Sequence, residues 1–333
     1  MRKILFGILL GFILLFGCVE ETPGIQLPDV EAPEANETGD EEAEYYIVPR
    51  DESIPEDAVK LTPEMDKNPP VIYSDEFQEP VPLPYPINSA GGEDSSFIVS
   101  DGNTLYFFFT PDVGVPVEKQ ILDGATGIYV SHKVDGEWSK PERIMLQDPG
   151  KLSGDGCEFV QGNKMWFCTV REGYTGIHWF TADYVDGTWT NWQNADEELK
   201  TEEYETGELH ISSDGTELYF HSYRDGGQGG LDIWMSEKVD GEWGEPVNLE
   251  AVNSERDEGW PALSPDGKEL WISKDYGLWR SKKVDGKWTE PELIVSPLAG
   301  EATIDSSGNV YFTHHFYDND VMLEADIYVI YRK

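Results

Sequence analysis

VDGEW occupies Val134–Trp138 and returns unaltered at Val239–Trp243, with VDGTW at Val185–Trp189 and VDGKW at Val284–Trp288. The four tryptophans stand 51, 54 and 45 residues apart, the spacing of a structural repeat. Before each copy runs an alternating stretch such as Asp232-Ile233-Trp234-Met235-Ser236-Glu237, and after it a Pro-containing one such as Glu245-Pro246-Val247-Asn248-Leu249. Asp-Gly between two alternating runs is a strong hairpin signal, because a type I′ turn needs positive φ at both central residues. Each copy is therefore a turn, with its tryptophan opening the following strand.

A second turn-and-strand precedes each copy: VSDGNTLYF (Val99–Phe107), SSDGTELYF (Ser212–Phe220), SPDGKELWI (Ser264–Ile272), and the shortened QGNKMWF (Gln161–Phe167). DSSGNVYF (Asp305–Phe312) is a fifth. Helical periodicity is absent from the region, so each unit has four antiparallel strands. The expected fold is all-β, a five-bladed β-propeller. The fifth unit stops at its third strand, Asp326–Lys333, while DEFQEPVPL (Asp75–Leu83) matches GEWGEPVNL (Gly241–Leu249) at Glu, Pro, Val and Leu. Ile87-Asn88-Ser89 then answers Val252-Asn253-Ser254. An N-terminal outer strand should thus complete the last blade and close the ring, removing edges that invite aggregation.

The stretch Glu208–Trp271, which holds two turns and one VDGEW, resembles the WD-like, TolB-type propeller repeat of prokaryotic envelope proteins. That resemblance implies a surface-exposed binding or scaffolding module with no catalytic motif to carry over. At the N-terminus, Arg2 and Lys3 precede an apolar run, Ile4–Phe16, and Leu15-Phe16-Gly17-Cys18 resembles a lipoprotein signal with Cys18 as the lipidated residue. Residues 1–18 are therefore expected to be a lipoprotein-type signal peptide, and residues 68–333 the propeller. Residues 19–67 hold sixteen Asp/Glu against three Lys/Arg with scattered prolines, and are expected to be a disordered tether. The protein would then be lipid-anchored on the outer face of the cytoplasmic membrane.

Residues 68–333 alone carry 49 acids against 19 bases, a net charge of −30. Nucleic acid and anionic lipid, which need a basic footprint, are excluded as partners. An envelope protein, a peptide or a glycan is expected instead. The first strand of each blade should line the central channel, so acids near the blade starts should crowd one mouth: Glu93, Asp94, Asp155, Glu158, Glu205, Glu208, Asp257, Glu258 and Glu301. Loops on the same face bring Arg171, Glu172, Tyr174, Arg224, Asp225, Trp260, His314 and His315. These carboxylates allow three chemistries. They could bind a cationic ligand or Ca2+, which takes oxygen donors. They could serve as the acid and base of a carbohydrate-active enzyme. Or they could cap turns and bond backbone amides between blades. No organic cofactor is expected, and no G-x-S-x-G elbow is present. His314 and His315, adjacent on a strand, should face opposite ways, one at the surface and one between blades. Cys157 and Cys168 flank the hairpin CEFVQGNKMWFC and should fall opposite one another, and a disulfide between them is expected, with two buried thiols as the alternative.

Overall fold

The computed structural model describes residues 47–148, 150–199 and 207–333. Cys18, Glu205 and the signal segment lie outside them. The described chain is all-β apart from three helical turns, Arg50–Ser53, Val117–Gln120 and Asp196–Leu199. None of its helices is long and apolar enough to cross a membrane.

Each VDG turn has the positive φ pair that its sequence demands: Asp135 and Gly136 at 52° and 89°, Asp186 and Gly187 at 51° and 87°, Asp240 and Gly241 at 53° and 93°, Asp285 and Gly286 at 49° and 76°. The tryptophan then pairs back across the turn, Lys133 with Trp138, Lys238 with Trp243 and Lys283 with Trp288, and the lysine ammonium covers the indole at 4.9, 4.7 and 5.3 Å. A serine two residues before that lysine closes the unit, Ser131 Oγ, Ser236 Oγ and Ser281 Oγ donating to the carbonyls of Ser139, Gly244 and Thr289. The motif is therefore an architectural device.

The strands pair antiparallel in successive units. The first comprises Gly92–Ile98, Thr104–Thr110, Gly127–Val134 and Glu142–Arg143. The second comprises Ser153–Gln161, Lys164–Arg171, His178–Val185 and Thr188–Asn194. The third is Leu209–Ile211, Glu217–Ser222, Asp232–Val239 and Val247–Asn248, and the fourth Glu258–Leu263, Glu269–Lys274, Gly277–Val284 and Glu292–Ser296. In the fifth, Ala299–Ile304, Val310–Asp318 and Val321–Ile330 are joined by Val81–Pro82 from the N-terminal side. The five first strands neighbour one another in order, and the fifth lies beside the first. Aromatic and aliphatic side chains fill the spaces between units, Trp271, Phe107, Phe167, Phe220 and Phe312 among them, all at most 2 % exposed.

Side-chain contacts hold the N-terminal strand. Asn88 makes a reciprocal amide pair with the backbone of Ile327, and Asn253 makes the same pair with Ile233. Phe77 is 1 % exposed and meets Trp271 edge-on at 5.7 Å. Glu76 accepts from Arg280, Lys282 and Arg332, and the bond from Arg280 first, then that from Lys282, lowers its pKa to about 2.

The C-terminal part of the stretch expected to be a tether is among the described residues. Residues 47–67 lie on the repeat region as a strap. Val48 and Ile54 pack against the Leu83–Phe107–Phe109 core, and Leu61 against the core that holds Phe316. Arg50 is 3 % exposed; its guanidinium donates to Pro86 O, Ile87 O and Glu93 Oε1 and covers the Phe109 ring at 4.7 Å. Lys60 is seated on Glu324 and Asp326, and Asp66 Oδ2 lies 2.7 Å from His314 Nε2. The strap supplies what the first unit lacks. By register, Pro111 stands where the second and third units have Arg171 and Arg224, whose guanidinium groups cover Phe167 at 5.5 Å and Phe220 at 5.1 Å. In the first unit Arg50 covers the matching ring, Phe107, at 5.7 Å.

Candidate functional site

Four of the first strands begin with a kink. Register shifts fall between Asp94 and Phe97, Gly156 and Phe159, Gly259 and Ala262, and Gly300 and Thr303. At each shift one residue takes positive φ: Ser95 at 48°, Cys157 at 53°, Trp260 at 52° and Glu301 at 57°. A bulge of this kind re-aims the side chains around it. Here it points the bulge residues and their successors inward, and Glu208 takes the matching place in the third unit. The five strands together enclose a cavity of about 40 Å3. Ser95, Cys157, Glu208, Trp260 and Glu301 form its upper level, with Glu158 one residue deeper. Phe97, Phe159 and His210 form the floor, their rings 4.7 to 6.4 Å apart. Burial holds His210 at a pKa of about 3, so the floor is uncharged at neutral pH.

The bulge also decides the cysteines. Cys168 pairs across the hairpin with Gly156, not with Cys157, because the extra residue shifts the register. No disulfide forms: both thiols are free and buried, and Cys168 Sγ donates to Gly156 O. Burial raises both thiol pKa values, that of Cys168 to about 11.

The acids expected at one mouth divide into two groups. Glu93, Asp155 and Glu258 sit one or two residues before the bulge and tie the connections between units. Ser89 donates its amide and hydroxyl to Glu93, and Ser254 does the same to Glu258. Asp155 accepts from Ser153, Thr169 and Arg171. Each has a basic neighbour: Arg50 for Glu93, Arg171 for Asp155 and Lys274 for Glu258. Asp257 accepts from the Leu231 amide 2.8 Å away and fixes the glycine-rich loop. There Gly229 lies so near the Ser254 and Arg256 carbonyls that a Cβ would stand 2.7 and 2.2 Å from them. Asp225 is exposed in the same loop, and Arg224 covers Phe220 and Trp234. None of these lines the cavity.

Glu158, Glu208 and Glu301 do line it, with Asp94 close by. Glu158 is 5 % exposed, and neither carboxyl oxygen has a hydrogen-bond partner. Such an orphaned buried polar group costs about 1–3 kcal/mol. Burial first, then the charges of Glu208 and Asp94, push its pKa well above the usual carboxylate range. Against these, its own backbone amide favours the ionised form. Burial likewise raises Glu208 to about 8, against hydrogen bonding from Cys157 and Trp260. Glu301, which accepts from Ser95 Oγ at 2.6 Å, is raised by burial and by Asp94 and Glu208. Asp94 goes the other way: burial opposes its ionisation, but His315, with Nε2 3.7 Å from Oδ2, holds it below the ordinary value. Among the described residues no three His, Cys, Asp or Glu side chains stand as a ready metal-ligand group.

Trp260 was expected in a loop and instead stands in the fourth first strand as a cavity wall, its amide donating to His221 Nδ1. His314 and His315 do face opposite ways, but both are buried. The Arg50 and Lys60 contacts carry no sequence signature beyond the bases themselves. The bulges have a faint one, a break in the hydrophobic alternation at each first strand.

No protein-family model and no curated protein matches the chain. Solved structures similar to it are of β-propeller type. They include a putative TolB from Agrobacterium tumefaciens, with 16 % identity, 74 % of this chain and 92 % of that one covered, and a TM-score of 0.36. A Bacteroides ovatus protein titled Xyloglucan PUL GH43B shares 14 % identity over 75 % of this chain and 54 % of its own, with a TM-score of 0.45. A Thermus thermophilus putative oxidoreductase (glucose dehydrogenase) shares 11 % over 76 % and 99 %, with a TM-score of 0.42.

Proposed function

We propose that the protein is a closed, five-bladed β-propeller that acts as a non-catalytic binding or scaffolding module, lipid-anchored through Cys18 on the outer face of the cytoplasmic membrane. The cyclic order of the first strands and the pairing of Val81–Pro82 with Val321–Ile330 support the closed ring. The apolar run before Cys18 supports the anchor. The module takes an envelope protein, peptide or glycan through its acidic loop face.

The size of the cavity carries the choice of binding over catalysis. Its volume of about 40 Å3 holds a few waters. Pockets that enclose small-molecule ligands measure roughly 300–1,000 Å3. A sugar ring has no place between Glu158, Glu208 and Glu301, and the aromatic floor closes the cup below them. One observation favours the second reading, a glycoside-hydrolase-like enzyme. Asp94 is lowered while Glu208 is raised, the divergence an acid and base pair would show. Peptide and glycan arrays probed with the purified protein, beside a panel of chromogenic glycosides, separate the two. Array binding without turnover is expected. Turnover lost in E208Q would replace the module with the enzyme.

A further inference from the structure

We propose that the channel cup is a receptor for one primary ammonium group, the head of a lysine side chain or of a free amine. The inference rests on the reading of this face as a binding surface and names the chemistry it recognises.

Three observations converge. First, Glu158 is buried, aimed into the cup, and has both oxygens without a partner. Outside the cup, most buried acids of this face are served by bases, Arg50 on Glu93, Lys60 on Glu324 and Asp326 and Lys274 on Glu258, and Asp232 by the amides of Gln228, Gly229 and Asn248. The chain itself thus shows how acids at this end of the units are satisfied, and the cup is where that pattern stops.

Second, the donors and the volume suit an ammonium. Lysine presents three N–H donors on a compact head. Glu158, Glu208 and Glu301 come from three different units and surround the cavity of about 40 Å3. A metal ion would need oxygens already converging at short range, and the described side chains do not form such a group. An ammonium accepts longer, less concentrated contacts of hydrogen-bond length. The planar guanidinium of arginine is wider and fits the narrow cup less well.

Third, the walls favour a cation. Trp260 is half-buried at the rim, and its face attracts an ammonium that passes it. Phe97, Phe159 and uncharged His210 below exclude water without competing for the charge. A ligand descending from the loop face meets Glu208, Trp260 and Glu301 first and reaches Glu158 last. Arrival of the cation favours the ionised carboxylates, so protons leave as it binds.

The test uses the full chain in mild detergent and isothermal titration. The probes are Nα-acetyl-lysine amide, its Nε-acetylated form, putrescine, Nα-acetyl-arginine amide and calcium chloride. The lysine amide should bind and release protons, and its Nε-acetylated form should not bind. E158Q and E301Q should each weaken the lysine amide about tenfold, the factor that one lost charge-assisted hydrogen bond gives. E137Q, in an exposed VDG turn outside the acidic loop face, should leave it unchanged. Thermal melts report whether each variant folds, and two separate glutamate variants keep the test decisive if one does not. Putrescine tighter than the lysine amide would assign a free amine as the source, and the reverse a protein or peptide lysine. Equal binding of the Nε-acetylated form, calcium binding without amine binding, or unchanged affinity in both variants overturns the proposal. If arrays yield a partner whose binding ignores E158Q, the cup proposal falls and the module stands. If neither arrays nor amines give binding, both fall.

Discussion

Replacing Arg50 by alanine removes a side chain that composition alone assigns to a tether. The guanidinium is 2 % exposed and its partner carboxylate, Glu93, is fully buried. The substitution deletes donors to Pro86 O, Ile87 O and Glu93, together with the cation stacked on Phe107 and Phe109. Glu93 would keep only the Ser89 amide and hydroxyl. Breaking one partner of a buried ion pair leaves a charge without compensation and costs about 3–5 kcal/mol. For a folded region of this size that is a fall in melting temperature on the order of 10 °C. Urea unfolding of wild type, R50A, E93Q and the double variant R50M/E93L measures it. R50A should lose about 3–5 kcal/mol, and R50M/E93L should recover much of the loss, since apolar replacement of both partners removes the stranded charge. Deletion of the chain before residue 47 should change nothing. A loss below about 1 kcal/mol in R50A, the range of surface pairs, would refute the reasoning and return residues 47–67 to the tether.

Deleting residues 71–88 removes the strand at Val81–Pro82, the buried Phe77 and the Glu76 ion network, so the chain should aggregate or melt far below wild type, read by light scattering and calorimetry. Unchanged melting would show that the last unit does not depend on that strand. Cys157 and Cys168 should stay unreactive toward a thiol reagent in the native protein and both react after denaturation, and reductant should not move the melting temperature. A mass of the denatured protein short of two thiols would overturn the assignment. The cup should also make stability fall with rising pH. Glu208 titrates near 4.5 unfolded and at about 8 folded, so the native state holds its proton more tightly through that window. Its stabilisation is complete below the unfolded value and is lost as pH rises through the folded one. Melts at pH 6 should therefore exceed those at pH 8.5, and E208Q should flatten the difference; a wild-type profile that rises across this window would contradict the buried placement of these carboxyls.

What the sequence decided by itself is what short-range geometry dictates. Asp-Gly between alternating runs selects a turn through the φ values its two residues tolerate, and the turn fixes Trp138, Trp189, Trp243 and Trp288 at the start of the next strand. The repeat then made a long-range pairing legible: Asp75–Leu83 and Ile87-Asn88-Ser89 copy another unit, so their partners could be named before any coordinates. Three things needed the tertiary structure. Four of the first strands bulge, and one extra residue moves Cys157 out of line with Cys168, announced by no more than a break in the hydrophobic alternation. Adjacent acids then part company, Glu93 tying a connection between units and Asp94 meeting His315, because neighbouring residues on a strand face opposite ways. Finally, the strap binds through charges that look ordinary in a polar, proline-rich stretch. Arg50 gains its meaning only from Pro111, a missing arginine in the first unit, and from Glu93, a carboxylate that burial leaves unable to find another partner.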